Sequence, residues 1–467
     1  MAAESRILIV GAGPTGLGAA WRLNELGHEN WDLYEAADHP GGLASSVVDD
    51  HGFTWDLGGH VLFSHYRYFD HLMVTALGDR WVEHVREAWV WMRERWIPYP
   101  LQNNIWRLPE DELLACLEGL LEVHAGRDHH PAPADFRDWL LAAFGRGLCE
   151  AFMFPYNRKV WAWPPERLDT GWMGERVATV DLPRVLRNLV YRRDDAGWGP
   201  NSTFRFPLAG GTGAIWKAVC DRLPAGRVHF RRRVSRIDVA TRTLVFDDGG
   251  TAAWDRLIST MPLDALLRSL AGRPDLARHA DAFVHSASHI IGIGLAGRPP
   301  AALNSKCWMY FPESHVPFYR VTVFSNYSPN NVREPGEQWS LMAEVSESPH
   351  KPVDAGRVVD EVIAGLRACH LIGDADTILS RWHRRLEHGY PTPWLGRDRV
   401  LDPVEAALAD AGILSRGRFG AWKYEVSNQD HSLMQGVEAV DRILLGAVEH
   451  TCRGDMSDRP RPVTAPR

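Results

Sequence analysis

An apolar run, Ile7 to Val10, enters a glycine turn at Gly11-x-Gly13-x-x-Gly16, and no other feature of the chain restricts its fold as much. Gly11 permits a tight turn, Gly13 lets the backbone approach a diphosphate, and Gly16 lets the following helix pack against the strand. The N–H groups that open such a helix lack helical partners and attract negative charge. Helical spacing of Leu17, Trp21 and Leu26 stops at Gly27, a second strand is expected over Trp31–Tyr34, and Glu35 follows nineteen residues after Gly16, suited to a ribose hydroxyl. The unit reads as strand, helix and strand around a nucleotide, the opening of an α/β domain with a Rossmann-like sheet.

A second glycine turn comes soon after, Pro40, Gly41, Gly42, Leu43, Ala44 and Ser45. This layout resembles the large group of FAD proteins that includes amine oxidases, protoporphyrinogen oxidase and UDP-galactopyranose mutase, and the resemblance implies FAD rather than NAD. The fold alone does not choose among their activities.

At 467 residues the chain can bury more than one core, and two or three domains are expected. A net charge of −7 without a long basic tract points away from nucleic acid and from an anionic membrane. The six cysteines, Cys116, Cys149, Cys220, Cys307, Cys369 and Cys452, have no paired spacing, which argues against a zinc site or disulfide framework and fits a reducing cytoplasm. No apolar run reaches the length of a membrane span, and the first strand begins too early for a signal peptide. The twenty tryptophans suit the walls of a sugar pocket as well as core packing.

Three domains follow from the patterning. An FAD-binding domain is expected over 1–80, 204–260 and 395–450, closing with a helix that carries Val437, Val440, Leu444 and Val448 on one face. A helical domain is expected over 108–203, with a loop around His129 and His130 and two mobile loops bearing Gly171, Gly174, Gly197 and Gly199. A mainly antiparallel substrate-binding sheet is expected over 81–107 and 261–394, with strands at Ile290–Leu295, Phe318–Phe324 and Trp339–Val345, and a disordered tail over 453–467.

From Trp55 through Gly58, Gly59, His60 to His65 the chain resembles the UDP-galactopyranose mutase family, in its longer eukaryotic type. Further segments match in order: Pro98 to Asn104, Pro155 to Trp161, Gly174 to Val177, Gly197 to Asn201, Lys306 to Tyr310, Pro317 to Arg320, His388 to Pro391, and Arg416 to Ser432. The resemblance spans about residues 6 to 450. It implies a reduced FAD whose N5 attacks the anomeric carbon of a nucleoside-diphosphate hexose, so that pyranose and furanose interconvert with no net redox change. It also implies that NADPH or NADH could supply the electrons, and it leaves homo-oligomerisation open.

By position, the resemblance implies that Thr15, Leu43, Ser45, Val234, Asn428, Gln429 and Ser432 join Gly11, Gly13, Gly16, Glu35 and Gly42 around FAD, and that Gly58, Gly59 and His60 lie against the flavin. Arg176 and Arg320 would clamp the diphosphate, with Tyr390 and Tyr424. Asn157, Trp161, Asn201, Trp308, Arg418 and Asn428 would surround the sugar, while Tyr99, Leu101, Gln102 and Tyr310 would line the nucleotide end. His60, Arg176 and Arg320 are the candidate catalytic residues. Forked guanidinium groups suit a departing diphosphate on chemical grounds alone.

Five positions depart from the family pattern, among them Phe154 and Arg158, which replace residues of different character near the nucleotide end. Leu101 stands where an aromatic is expected beside the uracil, which makes a GDP-hexose an alternative to a UDP-hexose. Ser427 stands where glycine is usual near the flavin, and Ala88 where serine is usual near the NADPH surface. Rival readings are a flavin oxidase or desaturase, which needs no converging arginines, and a flavin-free binding protein on the same fold. His51, His60 and His65 lack a carboxylate at suitable spacing, so no metal is expected.

Overall fold

A computed structural model describes residues 4–126, 132–196 and 202–457. With strands numbered along the chain, five form a parallel sheet in the order β20 (Ile413–Ser415), β13 (Arg256–Ser259), β1 (Ile7–Val10), β2 (Trp31–Tyr34) and β9 (Val228–His229). Both faces of this sheet are covered, which is why β1 is a continuous apolar run. Ile7 and Ile9 pack towards the helices Pro14–Glu25 and Gln429–Leu445, while Leu8 and Val10 face a second sheet. That sheet runs β12 (Thr251–Ala253), β11 (Thr243–Phe246), β10 (Val234–Asp238) and β14 (Leu270–Ala271).

The largest sheet has seven strands, in the order β19 (Ile378–Pro391), β15 (His285–Ala296), β18 (Gln338–Glu347), β17 (Arg320–Val323), β16 (Trp308–Tyr310), β6 (Ala88–Met92) and β7 (Arg95–Pro98). Its pairings are antiparallel except for β16 with β6. Two strand pairs complete the set, β3 (Ser46–Val48) with β4 (Thr54–Asp56) and β5 (Trp81–Val85) with β8 (Thr203–Pro207). Phe53 and Trp55 lie flat on the large sheet because Gly292 and Gly294 leave room: a Cβ at either glycine would meet an aromatic ring at 2.6 Å. That packing fixes where the Gly58–His60 loop emerges.

The segment 108–196 is helical, with Glu110–Gly126 against Phe136–Leu148, then Phe154–Trp161 and Leu182–Tyr191. The first two helices touch at Gly119 and Gly145, where a Cβ on Gly145 would lie 2.3 Å from the Gly119 carbonyl.

Several expectations are corrected. The last long helix stops at Leu445, capped by Gly446 at φ 67°, so Val448 lies beyond it, exposed. Residues 453–457 continue an ordered turn, with Arg453 N donating to His450 O and Gly454 N to Thr451 O; 458–467 lie outside the described residues. The segment 192–196 is tied down through Asp195, which accepts from Arg184 Nη2 at 2.6 Å and whose N–H donates to Asn104. His129, His130, Gly197, Gly199 and Asn201 lie outside the described residues. The 14-residue strand β19 was not expected at all.

Candidate functional site

A cavity of about 870 Å³ runs from the first glycine turn to the inner face of the large sheet. Its cofactor end is made of backbone. Gly11 sits at φ +100°, with Thr260 Oγ1 2.1 Å from where a Cβ would be, and a Cβ on Gly16 would lie 1.8 Å from the Gly11 carbonyl. Gly42, at φ +53°, brings the second glycine turn against Gly13, 3.4 Å from its would-be Cβ. No side chain caps the helix that starts at Pro14, nor the one that starts at Gln429, so two helix N termini present polar N–H groups towards one cavity. The two helices lie close because Gly18 and Gly436 offer no side chain; a Cβ on Gly436 would be 1.9 Å from Thr15 O.

Gly11, Gly13, Thr15, Glu35, Gly42, Leu43, Gly59, His60, Val234, Asn428, Gln429 and Ser432 line this cavity. Glu35 holds the turns together, accepting from Ala12 N at 2.6 Å and Ala37 N at 2.7 Å. Gln429 is tied to Trp216 through its Oε1 at 2.8 Å. Gly16, Gly58 and Ser45 sit behind the wall: Gly16 serves packing, while the Ser45 Oγ is buried without a partner. An FAD fits this cradle, whose glycine turns leave the backbone open to a diphosphate and whose two helix N termini carry no side-chain cap.

The substrate end is made of side chains. Arg320 on β17 lies across from Glu344 on β18, and the pair is bidentate, Nε to Oε1 at 2.7 Å and Nη2 to Oε2 at 2.8 Å. Burial alone would push the Glu344 carboxyl up, but the Arg320 guanidinium outweighs it and holds the acid ionised. Arg176 donates to Glu425 O at 2.8 Å and Asn428 Oδ1 at 3.3 Å and lies 4.7 Å above the Tyr424 ring. Arg418 donates to Ser427 Oγ at 2.8 Å and Gly389 O at 3.2 Å, 5.0 Å from the Tyr390 ring. The unusual Ser427 therefore aims an arginine.

His60 adjoins this group with its Nδ1 buried and unpartnered. Burial first, then the positive charges of Arg418 and Arg320, lower its pKa to about 4, leaving a neutral imidazole at neutral pH. Tyr99, Trp308, Tyr310 and Tyr424 also line the cavity, the Trp308 Nε1–H donating to Tyr310 OH at 2.5 Å.

Five expected contacts sit elsewhere. Leu101 is fully buried in the helical core and does not line the cavity. Gln102, 2% exposed, spends its amide on Ala178 O at 3.0 Å. Asn157 turns back along its helix to Met153 O at 2.8 Å. Trp161 stands behind Tyr424, ring centroids 4.8 Å apart, and Tyr390 backs the wall with its hydroxyl 3.3 Å from Tyr319 OH.

Sequence reading missed Arg86 and the turn Thr260–Pro262, which line the cavity, and Glu344, which holds Arg320 from behind. The turn was findable, since it follows β13 at the carboxyl end of the parallel sheet, where such folds bind ligands. Glu344 gave one signal, a lone charge inside the apolar run Trp339–Val345. The absence of a carboxylate near His65 is also corrected: Asp430, from the far end of the chain, accepts from His65 Nδ1 at 2.7 Å, and His431 stacks on His65 at 4.9 Å. The two imidazoles are nearly parallel, 20° apart, so their in-plane lone pairs do not converge on one metal position.

The fold and cavity define a flavoprotein of the amine-oxidase type, and residues 14–444 match the family described as flavin containing amine oxidoreductase. A solved structure of reduced UDP-galactopyranose mutase is 50% identical, with TM-score 0.94, covering 97% of this chain and 96% of that one. The chain belongs to the UDP-galactopyranose mutase family. Two remoter structures share the fold alone: a protoporphyrinogen oxidase candidate from Exiguobacterium sp. 255-15 (17% identity, TM-score 0.72, covering 95% and 100%) and a fatty acid isomerase from P. acnes (15%, TM-score 0.61, 95% and 100%). Among the described residues no helix is long and apolar enough to cross a membrane.

Proposed function

We propose that this protein interconverts the pyranose and furanose forms of a nucleoside-diphosphate hexose, UDP-galactose first, and that it does so with reduced FAD. The observation that carries this reading is the convergence of Arg176, Arg320 and Arg418 on the cavity that also holds the glycine cradle and His60. An oxidase acting on an amine or an apolar substrate has no use for three guanidiniums.

FAD, when bound and reduced, supplies the nucleophile that displaces the diphosphate. The chain's own residues bind and orient. Arg320 has Nε and Nη2 engaged by Glu344, which leaves Nη1 for a phosphate oxygen. Arg176 approaches the same anion from the other wall, and the two meet the charge that grows as the diphosphate leaves. Tyr424, which lines the cavity with Tyr390 behind it, can supply a hydroxyl, and neutral His60 can exchange a hydrogen bond at Nδ1 without adding a further positive charge. NADPH or NADH is the proposed reductant. Six cysteines without a disulfide support a cytoplasmic setting.

The base is the open choice between a UDP-hexose and a GDP-hexose. Leu101 does not reach the cavity, so the loss of an aromatic there gives no direct room for a purine. Dithionite-reduced and oxidised protein, incubated with UDP-galactofuranose and separately with GDP-hexofuranoses, should yield pyranose only when reduced and with one base preferred. Chromatography showing no turnover of any nucleotide sugar by a flavin-loaded protein would overturn the mutase reading in favour of an oxidase.

A further inference from the structure

Glu344 is 2% exposed and touches three functional groups at once. Both its oxygens engage Arg320; Oε1 also accepts from Gly59 N at 3.2 Å, and Oε2 accepts from Tyr319 OH at 2.7 Å. Tyr319 OH in turn meets Tyr390 OH at 3.3 Å. One carboxylate thus joins an arginine of the diphosphate wall, the Gly58–His60 loop and Tyr319, a buried tyrosine behind that wall. The contact with the loop is close: a Cβ on Gly59 would stand 2.9 Å from both Arg320 Nη2 and Glu344 Oε1, so one of them would have to shift.

We propose that Glu344 is a positioning residue that fixes which edge of Arg320 faces the diphosphate and offsets that arginine's charge, restraining nucleotide affinity in favour of turnover. This rests on the function proposed above. The physics separates the two effects. An amide at 344 has one acceptor oxygen: placed at Oε1 it would still accept from Gly59 N and Arg320 Nε, while its NH2 at the other position would donate to Tyr319 OH and meet Arg320 Nη2 donor to donor. It would carry no charge, so Arg320 would exert its full positive field on a bound anion while losing one edge of its fork. Affinity for the diphosphate then rises, and the chemical step, which depends on orientation, slows. A purely structural role would weaken both together.

The test uses the FAD-loaded protein and two probes, inorganic pyrophosphate and UDP, titrated calorimetrically beside steady-state kinetics of the reduced enzyme. Glu344→Gln is expected to bind pyrophosphate about threefold tighter or more, with a steeper salt dependence, the worth of one partly screened charge. Its kcat is expected to fall about tenfold or more. Glu344→Asp keeps the charge but shortens the arm, so affinity stays within about twofold of the parent while kcat falls. Weaker pyrophosphate binding in a folded, flavin-loaded Glu344→Gln, or an unchanged kcat, overturns the proposal. Should Glu344→Gln fail to retain FAD, Glu344→Asp and Tyr319→Phe decide: Tyr319→Phe leaves the ion pair in place, so lost affinity there counts against the proposal as well. A parent that binds pyrophosphate but turns over no nucleotide sugar sinks the proposed function and leaves the affinity arm decisive; a parent that binds no diphosphate sinks both.

Discussion

The two ends of the cavity are built on opposite principles. The cofactor end is backbone, and its first glycine turn is held by neighbours close in sequence: Ala12 donates to Glu35 only 23 positions on, and Gly11, Gly13 and Gly16 share one turn. The substrate end is side chains assembled from afar, with Gly59 and Glu344 separated by 285 positions and Arg176 and Asn428 by 252. The first works by excluding side chains and the second by pairing charges. They should therefore fail differently, one by steric exclusion and the other by electrostatics.

The largest effect belongs to the steric end. Gly16→Ala places a methyl 1.8 Å from the Gly11 carbonyl, a backbone atom that cannot rotate away. Flavin absorbance of the purified variant should fall close to zero, and a variant that retains full FAD would show that the turn yields more than its geometry allows. At the charged end, Arg320→Ala and Arg176→Ala should each cost about 1.5–3 kcal/mol of nucleoside-diphosphate binding. They should part on stability. Arg320→Ala leaves Glu344 buried and unpaired, a loss of about 3–5 kcal/mol, whereas Arg176 bonds to Asn428 and to a backbone carbonyl and its removal should cost about 1 kcal/mol. Denaturant midpoints of the two variants that coincide would erase the distinction.

His60 sits where the two ends meet, and it gives the comparison a pH axis. Its folded-state pKa is lowered from 6.5 to about 4. Between those values the unfolded chain binds the proton and the folded chain does not, so stability falls as pH is lowered through that window, by about 3 kcal/mol in all. Above about pH 6.5 this contribution is flat. Urea unfolding at about pH 7.5 and about pH 5 should show a smaller drop for His60→Gln than for the parent; equal drops would place the titrating group elsewhere.

The same division governs what a reader of the sequence can recover. Strands β1 and β2 and the helix between them follow from local patterning, because both sheet faces are buried and the turn needs glycine. The edge strand β19 hid itself: Arg381, Trp382, His383, Arg384, Arg385 and Leu386 show no two-residue alternation, since its exposed positions carry arginines instead of leaving one face apolar. Val448 was assigned to a helix by spacing alone, when Gly446 at φ 67° had already ended it. Arg176, Arg320 and Arg418 were reached through family resemblance, and their carboxylate partner was missed, because a charge pair across two strands leaves no periodic trace.

Leu101 and Ser427, the two departures from the family pattern that the cavity bears on, carry the smallest effects and the sharpest comparison. Leu101→Phe restores the expected aromatic in a fully buried, packed site. Overpacking should cost about 1–3 kcal/mol of stability, with the ratio of UDP to GDP affinity unchanged, because the side chain does not meet the cavity. A changed base preference, read by competitive titration of the two diphosphates, would mean that the Pro98–Asn104 segment rearranges to reach the ligand. Ser427→Gly should act the other way. It removes the 2.8 Å bond that aims Arg418, lowering diphosphate affinity by about 1 kcal/mol while stability shifts little, since the backbone at 427 lies at φ −121°, where serine is unstrained and glycine gains nothing. If both variants behave so, a residue of the charged end tunes binding with little cost in stability, while a residue of the packed core changes stability without reaching the ligand.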